Sequence, residues 1–338
     1  MAVMAQEVAE DIFLITERGS YGAMKPPVNC YVIAGDSGLA YDGGYGNGKA
    51  VREFARQFRG IGRHCLGAGR PFSVTRILLS HAHPDHFSGL MALKRKLGLS
   101  VLLTPEMYSI LSSRSAYRRS YRFDEREIEK KHSAALEWVK NRTVRPAVSR
   151  MYERLYGTKF IARPDVLVEP ESVIEISGRE WRILHSPGHS TDHISLYDPE
   201  RGILFAGDNV LRSVTTWLGP PKSDLAAYCS SLKRIRDLPK LELILSAHGS
   251  PVTRPRERID EILEWREERT RQVLEIVRGA GARGVSLRGL LELLYEKESW
   301  FKYRIAEGWV MITLRHLERE GLVSRAISGG VAVFSATR

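Results

Sequence analysis

The sequence has little of what would cross-link a chain or hold it in a membrane. Its 338 residues include three cysteines, Cys30, Cys65 and Cys229, far apart and without a CxxC pair. That spacing argues against a disulfide framework and against a thiolate zinc site, so buried, unreactive thiols are expected. No stretch approaches the roughly 18 uninterrupted apolar residues of a membrane span. The N-terminal "MAVMAQEVAEDIFLITERG" lacks a basic segment followed by an apolar one, so a cytoplasmic protein with no membrane partner is expected. Side-chain amides are scarce as well, confined to Asn29, Asn47, Asn141, Asn209, Gln6, Gln57 and Gln272. Depletion of thermolabile amides is a hyperthermophile tendency and suggests a thermophile.

What is present is an ordinary globular composition, 43% hydrophobic, with a formal net charge of +11. The positive excess favours an anionic substrate or partner. Short runs such as "DIFLITE", "VNCYVIA", "GLAYDGG" and "SVTRILLS" read as strands, while "GKAVREFARQF" and "HFSGLMALKRKLG" have helical spacing. Strand, loop, helix, strand is the pattern of an α/β domain. Residues 105–165 interrupt it with a helix-like, arginine- and tyrosine-rich insertion. They hold 14 Lys+Arg against 8 Asp+Glu, a net of +6, so over half of the charge excess lies there. Beyond it "VIEISGREWRILHSPGHS", "HISLYDPERGILFAGDNV" and "LELILSAHGSPV" restore strands. From about residue 257 two or three helices lead to a hairpin at "AISGGVAVFSA". The expected division is therefore 1–256 for the α/β domain and 257–338 for a small C-terminal domain.

The densest chemistry is in "LLSHAHPDHFSGL", residues 78–90, where a buried strand ends in three histidines and an aspartate. Strand alternation carried into the turn puts His81, His83 and Asp85 on one side, and His86 opens the next helix facing the same space. Four such donors are too many to bury as ordinary core polar groups without several kcal/mol of penalty, roughly. Imidazole and carboxylate without thiolate suit zinc, with iron or manganese as alternatives. Further donors stand at other strand ends: His189 in "SPGHS", with His193 after it, Asp208 in "AGDN" and His248 in "SAHGS".

With these in hand the sequence resembles the metallo-β-lactamase superfamily. "HAHPDH" matches its HxHxDH motif, "SPGHS" its PGH loop, "GD" its bridging aspartate and "AHG" its last histidine, in the family order. "YDGG" at 41–44 resembles the turn before its first helix. The resemblance implies an α/β fold, a four-layer αβ/βα sandwich with a dinuclear metal centre at one edge. It implies that His81, His83 and His189 hold one divalent ion, that Asp85, His86 and His248 hold the other, and that Asp208 bridges them. It further implies two-metal hydrolysis with a metal-bridging hydroxide as nucleophile, Asp85 serving as a catalytic group that orients it or passes a proton. His185 and His193 flank the PGH loop and are candidates for supporting or substrate contacts. His64, His132 and His316 lack any such context and read as surface or packing residues.

Within the superfamily, His83 stands where flavodiiron proteins carry a carboxylate, which argues against oxygen reduction. A mononuclear-iron persulfide dioxygenase ranks third, beside a non-catalytic nucleic-acid-binding protein. The glutathione-contacting tail of hydroxyacylglutathione hydrolases has no match, and β-CASP nucleases insert their extra domain later. The C-terminal "TLRHLEREGLV" and terminal hairpin resemble the winged-helix-like tail of the β-lactamase-like-protein-2 group, associated with single-strand endoribonuclease activity. Residues 251–338 carry 16 Lys+Arg and 13 Asp+Glu, a net of only +3, so a structural or homodimer-forming role is favoured over groove reading. In "SSRSAYRRSYRFDER", Arg118, Arg119 and Tyr121 are the substrate-contact candidates. Either this stretch combines phosphate contacts with base stacking, or it is an exposed charged helix whose aromatics face the core. The expected substrate is single-stranded RNA, with a carboxylic ester, lactone or thioester as the alternative.

Overall fold

The computed structural model describes residues 6–19, 25–122, 145–295 and 300–337. The central part of the insertion, with Phe123 and His132, lies outside the described residues. Two sheets stand face to face. The first follows sequence order: β1 (Gln6–Ala9), β2 (Ile12–Glu17), β3 (Val28–Ile33), β4 (Gly35–Tyr41), β5 (Phe72–Leu78), β6 (Ser100–Leu103) and β7 (Val166–Leu167). Its first four strands pair antiparallel and its last four parallel. The second has the order β12 (Leu243–Ser246), β11 (Ile203–Gly207), β10 (Ile194–Asp198), β9 (Arg179–His185), β8 (Val173–Ile176), with only the β11–β12 pair parallel.

The apolar residues of both inner faces meet in one core. Phe205 sits at its centre, with ring centroids 5.1, 5.3 and 5.5 Å from Tyr31, Tyr41 and Trp181. Helices cover the outer faces. On the first sheet α1 (Gly48–Gly67), capped by the Asn47 side chain at Ala50 N–H, buries Phe54, Phe58 and Ile61 against it. On the second, α7 (Leu225–Arg236) and the first half of α8 (Pro255–Gly279) pack on Tyr197, Leu204 and Ile244. This is the expected αβ/βα sandwich. The "HFSGLMALKRKLG" stretch departs from its expected single helix, forming α2 (Pro84–Phe87) and α3 (Leu90–Leu97). The break at Ser88–Gly89 lets the Gly89 N–H donate to the Gly44 carbonyl at 2.9 Å, docking the turn that bears Asp42.

The insertion contributes α4 (Pro105–Leu111), α5 (Arg114–Ser120) and α6 (Arg145–Tyr156). At the C-terminal end, α8 runs on into a third apolar cluster. There it joins α9 (Leu287–Leu294), α10 (Trp300–Arg319) and a sheet of order β13 (Val285–Ser286), β15 (Val331–Ala336), β14 (Val323–Ser328). Ile312 of α10 reaches the outer core of the second sheet, and Arg319 pairs with Asp224 at 2.6 Å. Among the described residues no helix is long and apolar enough to cross a membrane. Cys30 and Cys65 are buried and Cys229 is half-buried, all as free thiols.

Candidate metal centre

Strand β5 ends at Leu78, and the chain turns at Ser80 into the histidine cluster. Nearby, Tyr31 of β3 donates its hydroxyl to the Ser246 carbonyl at 2.7 Å, and the Ile194 N–H donates to the Ser80 carbonyl at 2.9 Å. These cross-links between the sheets fix the shared edge where β5, β9, β11 and β12 end.

Seven expected donors converge at that edge as two groups, His81, His83, His189 and Asp208, and Asp85, His86 and His248. Within each, the donor atoms lie within 4.8 Å of one another. Asp208 faces both. Its Oδ2 lies 3.3 Å from His189 Nε2, and its Oδ1 lies 3.5 Å from His86 Nε2 and 3.4 Å from His248 Nε2. His83 Nδ1 stands 2.8 Å from His81 Nε2 and 2.9 Å from His189 Nε2. Tetrahedral zinc with Zn–N of about 2.0–2.1 Å separates its nitrogens by roughly 3.3 Å, so the cluster is already near that spacing.

Outer partners explain why these nitrogens turn inward. His189 Nδ1 donates to the Trp217 carbonyl at 2.9 Å and His248 Nδ1 to the Pro27 carbonyl at 2.6 Å. His86 Nδ1 lies 2.9 Å from Asp42 Oδ2, and His81 Nδ1 lies 3.0 Å from Ser80 Oγ, which itself donates to Asp42 at 2.8 Å. With the Nδ1 protons thus engaged, the Nε2 lone pairs are left for the site. Two inward atoms, His86 Nε2 and Asp208 Oδ1, are buried without a hydrogen-bond partner. Orphaned buried donors of this kind fit divalent cations, which the residues present could hold as one ion per group with Asp208 between them.

Electrostatics agree. Burial alone would push His86 and His248 down, but the carboxylates around them prevail. Asp208, Asp85 and Asp42 hold His86 well above its ordinary value, and Asp208 and Asp85 push His248 up to about 9. Asp85, opposed by burial, is drawn down to about 2 by His86 and His248. His81 and His83 have no such excess of negative charge, and burial lowers both, His83 to about 3. His81 and His83 are therefore held neutral, whereas the carboxylates around His86 and His248 favour positive charge there.

His193 is not among the converging donors. It is buried, with Nδ1 2.9 Å from Ser186 Oγ, and its Nε2 accepts the Asp208 N–H at 3.2 Å, which positions Asp208. Gly207, at φ 48°, makes room for it, since a Cβ there would lie 2.5 Å from His193 Nε2. Gly188 of the PGH loop, at φ 132°, passes the Tyr228 backbone where a Cβ would lie 2.2 Å from its Cα. His185 Nε2 bonds the Thr191 carbonyl at 2.9 Å, bracing the same loop from outside.

In the insertion Tyr121 reaches the site: its hydroxyl donates to the Ala82 carbonyl at 3.1 Å, and its ring lies 5.9 Å from that of His83. Tyr117 points inward, against Phe87 and Phe160. Arg118 turns to α6, 3.3 Å from Ser149 Oγ and 3.6 Å from Glu153, while Arg119 is exposed. His64 is exposed near Glu7, and His316 lies on α10, 4.0 Å from Glu320. Sequence reasoning missed the role of Asp42. It is buried at φ 65° and accepts from the Ser80 N–H at 2.7 Å as well as facing His86. The "YDGG" turn was its only signal.

A donor set of this order on the edge of an αβ/βα sandwich defines a metallo-β-lactamase-type protein. The family model described as "Metallo-beta-lactamase superfamily" matches residues 24–248, and the chain belongs to that superfamily. It is similar to a beta-lactamase-like protein 2 homolog of Caenorhabditis elegans, 28% identical over 44% of this chain and 48% of the relative. It is also similar to an atrochrysone carboxyl ACP thioesterase of Aspergillus novofumigatus, 32% identical over 41% of this chain and 42% of the relative. These matches span about half the length of the curated relatives. Among solved structures, a beta-lactamase domain protein from Burkholderia ambifaria superposes with a TM-score of 0.76 at 20% identity, covering 98% of this chain and 93% of its own. That likeness extends through the C-terminal helices and sheet.

Proposed function

We propose that the protein is a metal-dependent hydrolase with a dinuclear centre, zinc being the metal its donor set suits best, acting on phosphodiesters of single-stranded RNA. The observation that carries the hydrolase reading is Asp208 set between two groups of donors, one oxygen toward each. Two divalent ions held there would lower the pKa of water at the site and offset negative charge on the attacked group. This chain's residues supply the rest. Asp85, held ionised beside His86 and His248, accepts a proton from water or returns one to the leaving oxygen. His193 and Gly207 hold Asp208 in place, and Tyr121 closes the side over His83.

The RNA reading draws support from the net charge and from exposed Arg119 and Arg122, which flank Tyr121 in the sequence. We read the C-terminal helices and three-stranded sheet as a winged-helix-like module that packs beside the centre. A second reading, hydrolysis of a thioester, is favoured by the similarity to a thioesterase. One assay separates them: zinc-loaded protein, with Asp208→Asn as control, is offered a single-stranded RNA oligonucleotide and a panel of aryl and acyl thioesters. Asp208-dependent cleavage of RNA is expected. Turnover of thioesters alone would move the substrate to the second reading, and turnover of neither would overturn the hydrolase.

A further inference from the structure

A cavity of about 260 Å³ lies between the α/β body and the C-terminal helices, lined by Trp217, Leu218, Trp265, Arg266, Tyr295 and Trp309 among others. Two residues of its wall also touch the metal centre. The Trp217 carbonyl orients His189, and Thr216 donates its hydroxyl to the Asp208 carbonyl. Whatever fills the cavity therefore rests one residue away from two candidate ligands.

Its lining is unusual in combining aromatic faces with buried guanidinium. Arg266 is 4% exposed, its Nε is buried without a hydrogen-bond partner, its guanidinium donates to the Thr216 carbonyl, and the Tyr228 ring lies 5.5 Å from it. Among the described residues no carboxylate pairs with it. Its guanidinium lies 4.9 Å from the Trp265 ring. One turn on, Arg269 stacks 4.6 Å from Trp309 and bonds the Tyr295 hydroxyl at 2.6 Å, its own Nε buried and unpartnered. A buried cation with no carboxylate beside it among the described residues is costly, and guanidinium prefers planar oxyanions. Aromatic side chains flanked by such cations offer their remaining faces to a further planar ring.

We propose that this cavity is a binding subsite for a planar aromatic group carrying an anionic oxygen, as a nucleoside monophosphate or an aryl carboxylate presents. The volume takes one small ligand, no larger than a mononucleotide, being just below the roughly 300–1,000 Å³ of drug-sized pockets. Its use by substrate rests on the hydrolase reading, but binding is measured here without turnover, so the two fail separately.

The test is isothermal titration of the full chain with AMP, with benzoate and with inorganic phosphate. Variants are Trp309→Leu, Ala306→Leu to fill the cavity, and Asp208→Asn to impair the metal centre. Saturable binding of AMP or benzoate is expected, weakened at least about tenfold by Trp309→Leu and Ala306→Leu and retained in Asp208→Asn. AMP alone would mark a nucleotide unit as the source, and benzoate alone an aryl acyl unit. The proposal is overturned if neither binds, which leaves the arginines as a purely structural clamp, or if phosphate binds as tightly as both. It is equally overturned if binding survives Ala306→Leu but is lost in Asp208→Asn, which places the ligand at the metals.

Discussion

Replacing Asp42 by asparagine isolates the hydrogen-bond logic behind the metal centre. The two side chains have nearly the same shape, and asparagine tolerates the left-handed conformation that Asp42 adopts at φ 65°. Asp42 Oδ1 accepts from the Ser80 N–H at 2.7 Å, while Oδ2 faces the Ser80 hydroxyl at 2.8 Å and His86 Nδ1 at 2.9 Å. An asparagine must keep its oxygen toward the Ser80 N–H, so its NH2 then points at His86. Two donors would meet, and His86 escapes only by moving its proton to Nε2, the atom needed in the site. A hydrogen bond to a charged group contributes about 1.5–3 kcal/mol. Outer partners of this kind change metal affinity by roughly 10–100-fold, the same energy range. Competition with a chromophoric chelator should therefore show one of two zinc equivalents weakened by that factor, and the equivalent at His81, His83 and His189 altered much less. Two zinc equivalents bound as tightly as in the wild type would refute the assignment of Asp42 as the residue that orients His86.

Other outcomes follow from neighbouring features. Gly207→Ala sets a Cβ against His193 Nε2, and overpacking of about 1–3 kcal/mol should lower the Tm and loosen metal binding together; an unchanged Tm would contradict the close approach. In the metal-free protein His248 is pushed up to about 9, so at pH 7.5 it carries a proton that a cation must displace. Zinc uptake in weak buffer should acidify a pH indicator at pH 7.5 and release less from this residue as pH rises past 9; uptake without acidification would contradict that charge state. The scarcity of side-chain amides leads us to expect a Tm above the roughly 45–65 °C of mesophile domains, and a value inside that range would contradict the thermophile reading.

How far the sequence reaches depends on how local each feature is. The run from His81 to His86 follows one strand and one turn, so alternation and the start of a helix were enough to foresee that its four donors face one space. His189, Asp208 and His248 are brought in by three other strand ends, and only the family resemblance grouped them in advance. Asp42 lies 44 residues from His86, and nothing in its own neighbourhood shows that pairing. The split of the helix after Phe87 was missed because Leu90, Leu93 and Leu97 keep helical spacing, whereas the break serves a backbone contact with Gly44. For the arginine-rich stretch the sequence left two arrangements open. Packing turns Tyr117 inward onto Phe87 and draws Arg118 to Glu153, while Tyr121 alone of these three approaches the histidines. The aromatic cavity was not legible at all, since Trp217, Trp265, Tyr295 and Trp309 come from four separate segments.

We propose that seven side chains at one sheet edge form a dinuclear metal centre bridged by Asp208. Elemental analysis of purified full-length protein, beside Asp208→Asn prepared identically, tests it most directly. About two divalent ions per chain are expected in the wild type and a marked loss in the variant. One ion or none in wild-type protein incubated with zinc and freed of excess, or two ions held equally by the variant, would contradict it.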